Sequence, residues 1–374
     1  MCKNIKLMIA SSEHDSDMLY ISGLFVPDPF IAIEIDGEWH GLFSTLEVDR
    51  ARQDSQFKHV HLDSEWRDKA EKKGLERSIV STAISFLADN NKQNITVPPQ
   101  FSALHMEQLR AAGLQVNVHP TSFFPQRQQK TKKEIEQLCI VEKLTAQAMH
   151  HAYEVLAAAR ISDNMIYVGT EAMSAQYLRG EIESFLIRQG AVPSHTIVAC
   201  GTQSADPHQE GNGLLYAHQP IIIDIFPRLT STGYWGDMTR TFVKGKASQD
   251  LKKMYQTVAE GQDIGLNMLG HGIEPKDIHQ AIVSHFEKCG FYTGERDGKQ
   301  VGFIHSTGHG VGLDIHELPS VSMRGSTLKS GHIVTVEPGL YYPDIGGVRL
   351  EDMALVCDSG HKNLTNYRRE LEIV

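Results

Sequence analysis

An aspartate stands inside an otherwise apolar run at residues 220–225, P-I-I-I-D-I, and it constrains this chain more than any other residue. A short isoleucine-rich run after a proline reads as a buried strand. A carboxylate there costs several kcal/mol unless it is paired or holds a cation, so Asp224 needs company. Asp237 follows in W-G-D-M-T-R-T-F, beyond a turn containing Gly233. Further on, H-I-V-T-V-E-P-G-L carries Glu337. G-V-R-L-E-D-M-A-L carries Glu351, after a turn holding Pro343, Gly346 and Gly347. The spacing predicts two β-hairpins with one acid on each arm. Because helices precede each hairpin, it also predicts a weak internal repeat.

Between the hairpins, residues 301–317 read V-G-F-I-H-S-T-G-H-G-V-G-L-D-I-H-E, bringing His305, His309 and His316 into one glycine-rich segment. Imidazole is a neutral metal ligand and a proton donor near neutral pH. Separate salt bridges to Arg228, Arg240 and Arg349 would explain any one of the acids. Four acids on matching hairpins around a His-Gly loop point instead to cations. Hard divalent ions take carboxylate oxygen, and imidazole adds a borderline donor. A formal charge near −4 would be balanced by two divalent ions, on the order of 3.5–4 Å apart in two-metal sites.

Composition narrows the setting. With 46 acidic against 36 basic residues, the net charge of −10 argues against nucleic acid as the main partner. Cys2, Cys139, Cys200, Cys289 and Cys357 are scattered and form no C-x-x-C. That pattern fits a reducing compartment without a disulfide framework. No apolar run approaches the ~18 residues of a membrane span, and the N-terminal apolar run is too short for a signal peptide. The expectation is a cytoplasmic protein with no membrane partner.

At 374 residues the chain has room for two or three domains. The first 122 residues alternate strands and helices. Strands are expected at 5–10, at 30–35 and 39–43 around the Asp36-Gly37 turn, at 94–97 and at 114–118. Helices are expected from Ser78 and over 103–112. His40, His59 and His61 read as strand or surface histidines. Residues 123–130, with Pro125 and a polar tail, form the expected linker to a larger module at 131–374. Thr131-Lys132-Lys133-Glu134 has the form of a capping box at the start of a long amphipathic helix. Further helices are expected at 170–188, 248–269 and from Pro275 to just before Gly290, covering the sheet without carrying chemistry.

These motifs resemble the metallopeptidases of the pita-bread fold, which include Xaa-Pro aminopeptidases, Xaa-Pro dipeptidases (prolidases) and methionine aminopeptidases. The matching segments are I-D-I…G-Y-W-G-D-M-T-R-T-F, H-S-T-G-H-G-V-G-L-D-I-H-E, V-T-V-E-P-G-L-Y and G-V-R-L-E-D. The smaller α/β module in front resembles the N-terminal domain of the proline-specific members. The resemblance implies a curved antiparallel sheet covered by helices and two divalent ions, manganese first, with cobalt, zinc or iron as alternatives. The ligands would be Asp224, Asp237, His309, Glu337 and Glu351. Glu337 would also move a proton, His316 would steady the scissile carbonyl, and His208 would act beside it. His305, Arg349 and Tyr341 would line the substrate site. The implied activity is release of the residue before proline from a peptide, by a homodimer.

One departure concerns the segment after the first aspartate. Family members often carry D-x-G there, whereas this chain has Asp224-Ile225-Phe226-Pro227 and a slightly longer loop to Asp237. Substrate choice at the rim could change with it. The alternatives are an Xaa-Pro dipeptidase or another N-terminal-residue peptidase, metal-free creatinase-like chemistry, or a binding module on an inactive scaffold. The last two predict lost ligands, and none is lost.

Overall fold

The computed structural model describes residues 5–374. They divide into two compact units at Pro125/Gln126. In the first unit six strands form one mixed sheet. The strand Ile5–Ala10 is central, flanked by the antiparallel strand Phe30–Ile35 and the parallel strand Asn94–Val97. The expected hairpin at Asp36-Gly37 is present, with φ of 56° and 90° at those two residues, the left-handed conformation such turns require. His40, His59 and His61 stack across two neighbouring strands, with His40 Nδ1 3.0 Å from His61 Nε2.

The segment read as a linker is not loose. Phe123 and Phe124 are buried, and Phe124 packs on Tyr20 and Trp39 of the first unit. Arg127 and Lys130 turn to the second unit. There Arg127 pairs with Asp314 at 2.8 Å and with Glu317 at 2.8 Å, and Lys130 also pairs with Glu317.

The second unit begins with the helix Lys132–Ala158. Thr131 and Glu134 cap it reciprocally, with Glu134 Oε2 accepting the Thr131 N–H at 2.8 Å. The next helix spans Ala175–Arg188 and is capped by Ser174. It starts later than its hydrophobic pattern suggested, because Glu171–Ala172 pairs with the strand Met165–Val168 instead. The helices Gln249–Met268 and Pro275–Lys288 fall where expected.

Two separate apolar cores follow the predicted repeat. The first two helices pack against the hairpin of Ile221–Ile225 and Met238–Lys244. The second two pack against the later hairpin. At Gly261 the paired helices come close, and a Cβ there would lie 2.6 Å from the Phe286 ring. Gly261→Ala is therefore expected to destabilise the protein by about 1–3 kcal/mol through overpacking, read as a lowered midpoint in urea.

His332 stands at the start of the later hairpin, 2% exposed, with Nδ1 accepting the Lys329 N–H at 3.1 Å. Burial, reinforced by Lys130 and Lys329, holds its pKa down at about 4. The unfolded chain therefore binds this proton first as the pH falls. The stabilisation is complete above about pH 6.5 and is lost on the way down to about pH 4. His332→Asn is expected to flatten the acid limb of the thermal midpoint between pH 7 and pH 4. An unchanged limb would dismiss this role.

Candidate metal centre

The two hairpins place their acids at ladder ends. Asp224 lies on the strand Ile221–Ile225, opposite Thr239. Asp237 immediately precedes the strand Met238–Lys244. The later hairpin breaks in the middle. Ile333–Val336 pairs with Asp352–Val356, and Gly339–Tyr342 pairs with Gly346–Arg349. Glu337 and Glu351 occupy the gap between these two ladders. Pro338 beside Glu337 has no N–H to donate to a ladder, so the break is written into the chain.

His309 sits on the short strand Gly308–Gly310, which pairs on both sides. A Cβ on Gly308 would overlap the Thr335 carbonyl, and one on Gly310 would come within 2.6 Å of the Leu318 oxygen. These glycines bring His309 close to its neighbouring strands. The imidazole Nδ1 lies 3.2 Å from the Gly310 carbonyl, which orients Nε2 toward the acids. Nε2 lies 3.6 Å from Asp237 Oδ2 and 3.3 Å from Glu337 Oε1. Ligand atoms of Asp237, His309 and Glu351 all fall within 4.8 Å of one another.

The surroundings hold each acid in place. Arg349 Nη2 donates to Asp224 Oδ2 at 2.7 Å. Asp224 Oδ1 is buried with no hydrogen-bond partner. Thr239 Oγ1 donates to Glu351 at 2.7 Å, and Thr335 Oγ1 donates to Glu337 at 3.2 Å. Burial, and then the charge of Glu351 and the other acids, raises the Asp237 pKa well above the carboxylate range. Burial, and then Glu337 and Asp224, raises that of Glu351. Burial, joined by Asp224, takes Glu337 up to about 8 against the pull of Arg349. Burial, with His316 next, depresses His309 to about 4, which keeps it neutral and available as a ligand.

An orphaned carboxylate oxygen, three mutually repelling buried acids and a neutral imidazole fit divalent cations. Oxygen predominates among the donors, and no thiolate is among them. That suits hard to borderline ions such as manganese.

The remaining predicted residues are distributed around this cluster. His305 Nδ1 is 4.0 Å from Glu337 Oε2, and its Nε2 is 2.9 Å from the Tyr341 hydroxyl. Tyr341 is fully buried, and its hydroxyl accepts from Arg349 Nη1 at 2.9 Å. Arg349 is 4% exposed and spends its N–H groups on Asp224, Thr239, Tyr341 and the Pro207 carbonyl. His316 is exposed, its ring edge-on to His309 at 4.4 Å between centroids. Partial desolvation of the ring where it faces His309, and then His208, lower its pKa. His208 is exposed and acts on both His305 and His316. A cavity of ≈ 800 Å³ lined by Lys143, His150, Phe185 and Tyr367 contains none of these residues.

The sequence reading missed Glu142. This fully buried residue lies on the helix Lys132–Ala158, so a helix side chain helps to position the cluster without joining it. Its Oε2 accepts the Asp237 N–H at 3.0 Å and its other oxygen accepts from Thr365. Burial raises its pKa to about 7. A signal was present: Glu142 falls on the face shared by Leu138, Val141 and Thr145, where a charge is out of place.

Paired hairpins around a buried Asp/Glu/His set define a protein with a candidate divalent-cation centre. Residues 137–358 match the model of metallopeptidase family M24, and the chain belongs to that family. It is similar to an uncharacterized peptidase of Bacillus subtilis, 33% identical over 242 residues, 63% of this chain and 66% of that one. It is also similar to an Xaa-Pro dipeptidase of Pyrococcus furiosus, 32% identical over 249 residues, 65% of this chain and 64% of the other. The chain thus spans just under two thirds of the length of these curated relatives. Among solved structures, the prolidase of Pyrococcus horikoshii OT3 superimposes with a TM-score of 0.80 at 25% identity, covering 98% of this chain and 95% of that one. The fold is the pita-bread fold expected from the motifs. Among the described residues, no helix is long and apolar enough to cross a membrane.

Proposed function

We propose that this chain is a two-cation exopeptidase that hydrolyses the bond between an N-terminal residue and proline. The observation carrying this reading is the convergence of Asp237, His309 and Glu351 within 4.8 Å, with Glu337 against the same imidazole nitrogen. The motifs imply an Xaa-Pro aminopeptidase first, with an Xaa-Pro dipeptidase as the alternative, and leave peptide length open. Similarity to a protein named Xaa-Pro dipeptidase shifts the preferred substrate to the dipeptide.

Asp224, Asp237, His309, Glu337 and Glu351 would hold the ions. When bound, two such ions activate water at neutral pH and polarise the scissile carbonyl. The remaining steps belong to the chain. Water adds its oxygen to the carbonyl carbon, and its proton goes to the leaving nitrogen. The nitrogen of an Xaa-Pro bond carries no hydrogen, so it leaves as a secondary amine only after gaining that proton. Glu337 Oε2, facing His305, takes the proton and delivers it. His316, at the open edge beside His309, donates an N–H to the developing oxyanion. Arg349 and Tyr341 orient Asp224 and His305 from beneath. Four acids and Arg349 sum to −3, so two divalent ions bring the site to +1. The negative charge that develops in the reaction is thereby accommodated.

His316→Ala is expected to lower kcat by about 10²–10³-fold with little change in KM, because the contact forms only in the transition state. The reading as a whole is tested by assaying the manganese-loaded protein on Xaa-Pro dipeptides, Xaa-Pro tripeptides and Xaa-Ala controls. Turnover of Xaa-Pro substrates with dipeptides ahead supports it. Equal turnover of Xaa-Ala, or none of either, rejects it. Manganese as the resident ion, a homodimer and a cytoplasmic setting belong to the same proposal. Metal analysis and native mass measurement check the first two.

A further inference from the structure

The helix Gln249–Met268 and the helix Pro275–Lys288 with its cap residue Cys289 carry a second cluster of metal-type donors, built from Glu260, His285 and Cys289. His285 and Cys289 are four apart at the end of one helix and share a face. Glu260 comes from the other helix. Gly261 and Phe286, the next residues along, are the point of close helix contact, so packing forces Glu260 toward His285. The donor atoms all lie within 4.8 Å of one another.

The arrangement is unusual in one respect. Glu260 Oε2 lies 3.2 Å from His285 Nε2, and Cys289 Sγ lies 3.8 Å from the same Nε2. A nucleophilic relay would need the thiol on one ring nitrogen and the acid on the other. Here both face one nitrogen. An N–H on Nε2 can serve the carboxylate, but then the sulfur at 3.8 Å is left only as a weak second acceptor of the same hydrogen. A bare Nε2 can accept from the thiol, but then it faces the carboxylate lone pairs. A cation placed between the three atoms satisfies all of them at once. The spacings also suit it, because tetrahedral zinc with bonds of about 2.0–2.3 Å sets its donors about 3.3–3.6 Å apart. Gln256 Nε2 donates to Glu260 Oε1 at 3.0 Å, which steadies the carboxylate and leaves Oε2 for the site. The Glu260 side chain is 46% exposed, so an ion has an entry path and water can fill the fourth position.

We propose that Glu260, His285 and Cys289 form a peripheral site for a thiophilic divalent cation of the zinc type, separate from the oxygen-rich centre. The two donor sets sort ions by softness. Thiolate with imidazole selects zinc-like ions, whereas four carboxylates with one imidazole accept manganese-like ions. Binding the ion releases the thiol proton to solvent and leaves Cys289 as thiolate. The ion clips together the two helices that cover the later hairpin.

Cobalt(II) titration of the full-length protein under a non-thiol reductant tests the site. A thiolate-to-cobalt charge-transfer band in the near ultraviolet arises only where sulfur is a ligand, and the carboxylate centre has none. The wild-type protein is expected to show this band at one thiolate per chain, bleached by added zinc. Asp237→Asn should keep the band, which separates this site from failure of the proposed peptidase centre. Cys289→Ser should abolish it. His285→Gln and Glu260→Gln should weaken cobalt binding about tenfold or more while the metal-free thermal midpoint stays put. Absence of the band in wild type at tenfold excess cobalt overturns the proposal, and so does its survival in Cys289→Ser.

Discussion

Asp237→Asn should reduce Xaa-Pro hydrolysis by about 10³-fold or more and lower the bound metal toward one ion per chain or none. Asp237 is 4% exposed, lies 3.6 Å from His309 Nε2 and shares its ligand cluster with Glu351. The amide keeps the shape and removes the charge. Its backbone N–H, held by Glu142, stays in place, so the fold should persist. In the absence of metal the variant should even be more stable than wild type. One of the mutually repelling acids that burial forces to hold a proton has been neutralised. Metal analysis, activity and thermal unfolding read the three effects together. Full activity in Asp237→Asn would remove the proposed centre from the chemistry.

Removing the ions should make stability depend on pH in a direction opposite to that of most proteins. Glu337 is raised to about 8, and Asp237 and Glu351 are raised as well. A carboxylate with a raised folded pKa binds its proton more tightly in the folded state. Stability from that proton is present below the unfolded pKa, near 4.5, and is lost as the pH climbs through about 8. After chelation the thermal midpoint should therefore fall between pH 5 and pH 8, by an amount on the order of a few kcal/mol in unfolding free energy. Adding manganese at about 1,000 times its dissociation constant should restore about 4 kcal/mol per ion and level the profile. A metal-free protein equally stable at pH 5 and pH 8 would mean the acids do not repel one another as the geometry requires.

Several features were legible because they are local. The capping box at Thr131 and Glu134, the turn at Asp36-Gly37 and the helix start at Pro275 each rest on a few adjacent residues. Their physics is complete within one turn of chain. The second helix starts later than its spacing predicts because Glu171–Ala172 finds a strand partner, and pairing overrides propensity. Glu142 was passed over because its partner, the Asp237 N–H, lies 95 positions away. The pairing of Arg349 with Asp224 shows how the ordinary salt-bridge explanation and the metal explanation coexist. One oxygen of Asp224 is neutralised and the other is left open.

Residue identity by itself determined the donor inventory: which acids lie in apolar strands, where the histidines fall, and that a buried charge must find a counter-charge. Only the tertiary structure decided how the two hairpins turn those donors toward one point, which acid oxygen stays unpartnered, and that a helix glutamate holds Asp237 from behind. It also set Cys289 beside His285 and Glu260, which no motif connects. The cost of burying charge can be read from single residues, because it depends on what surrounds each one along the chain. The convergence of distant groups depends on how separate helices and ladders pack, and that is settled only when the chain has folded.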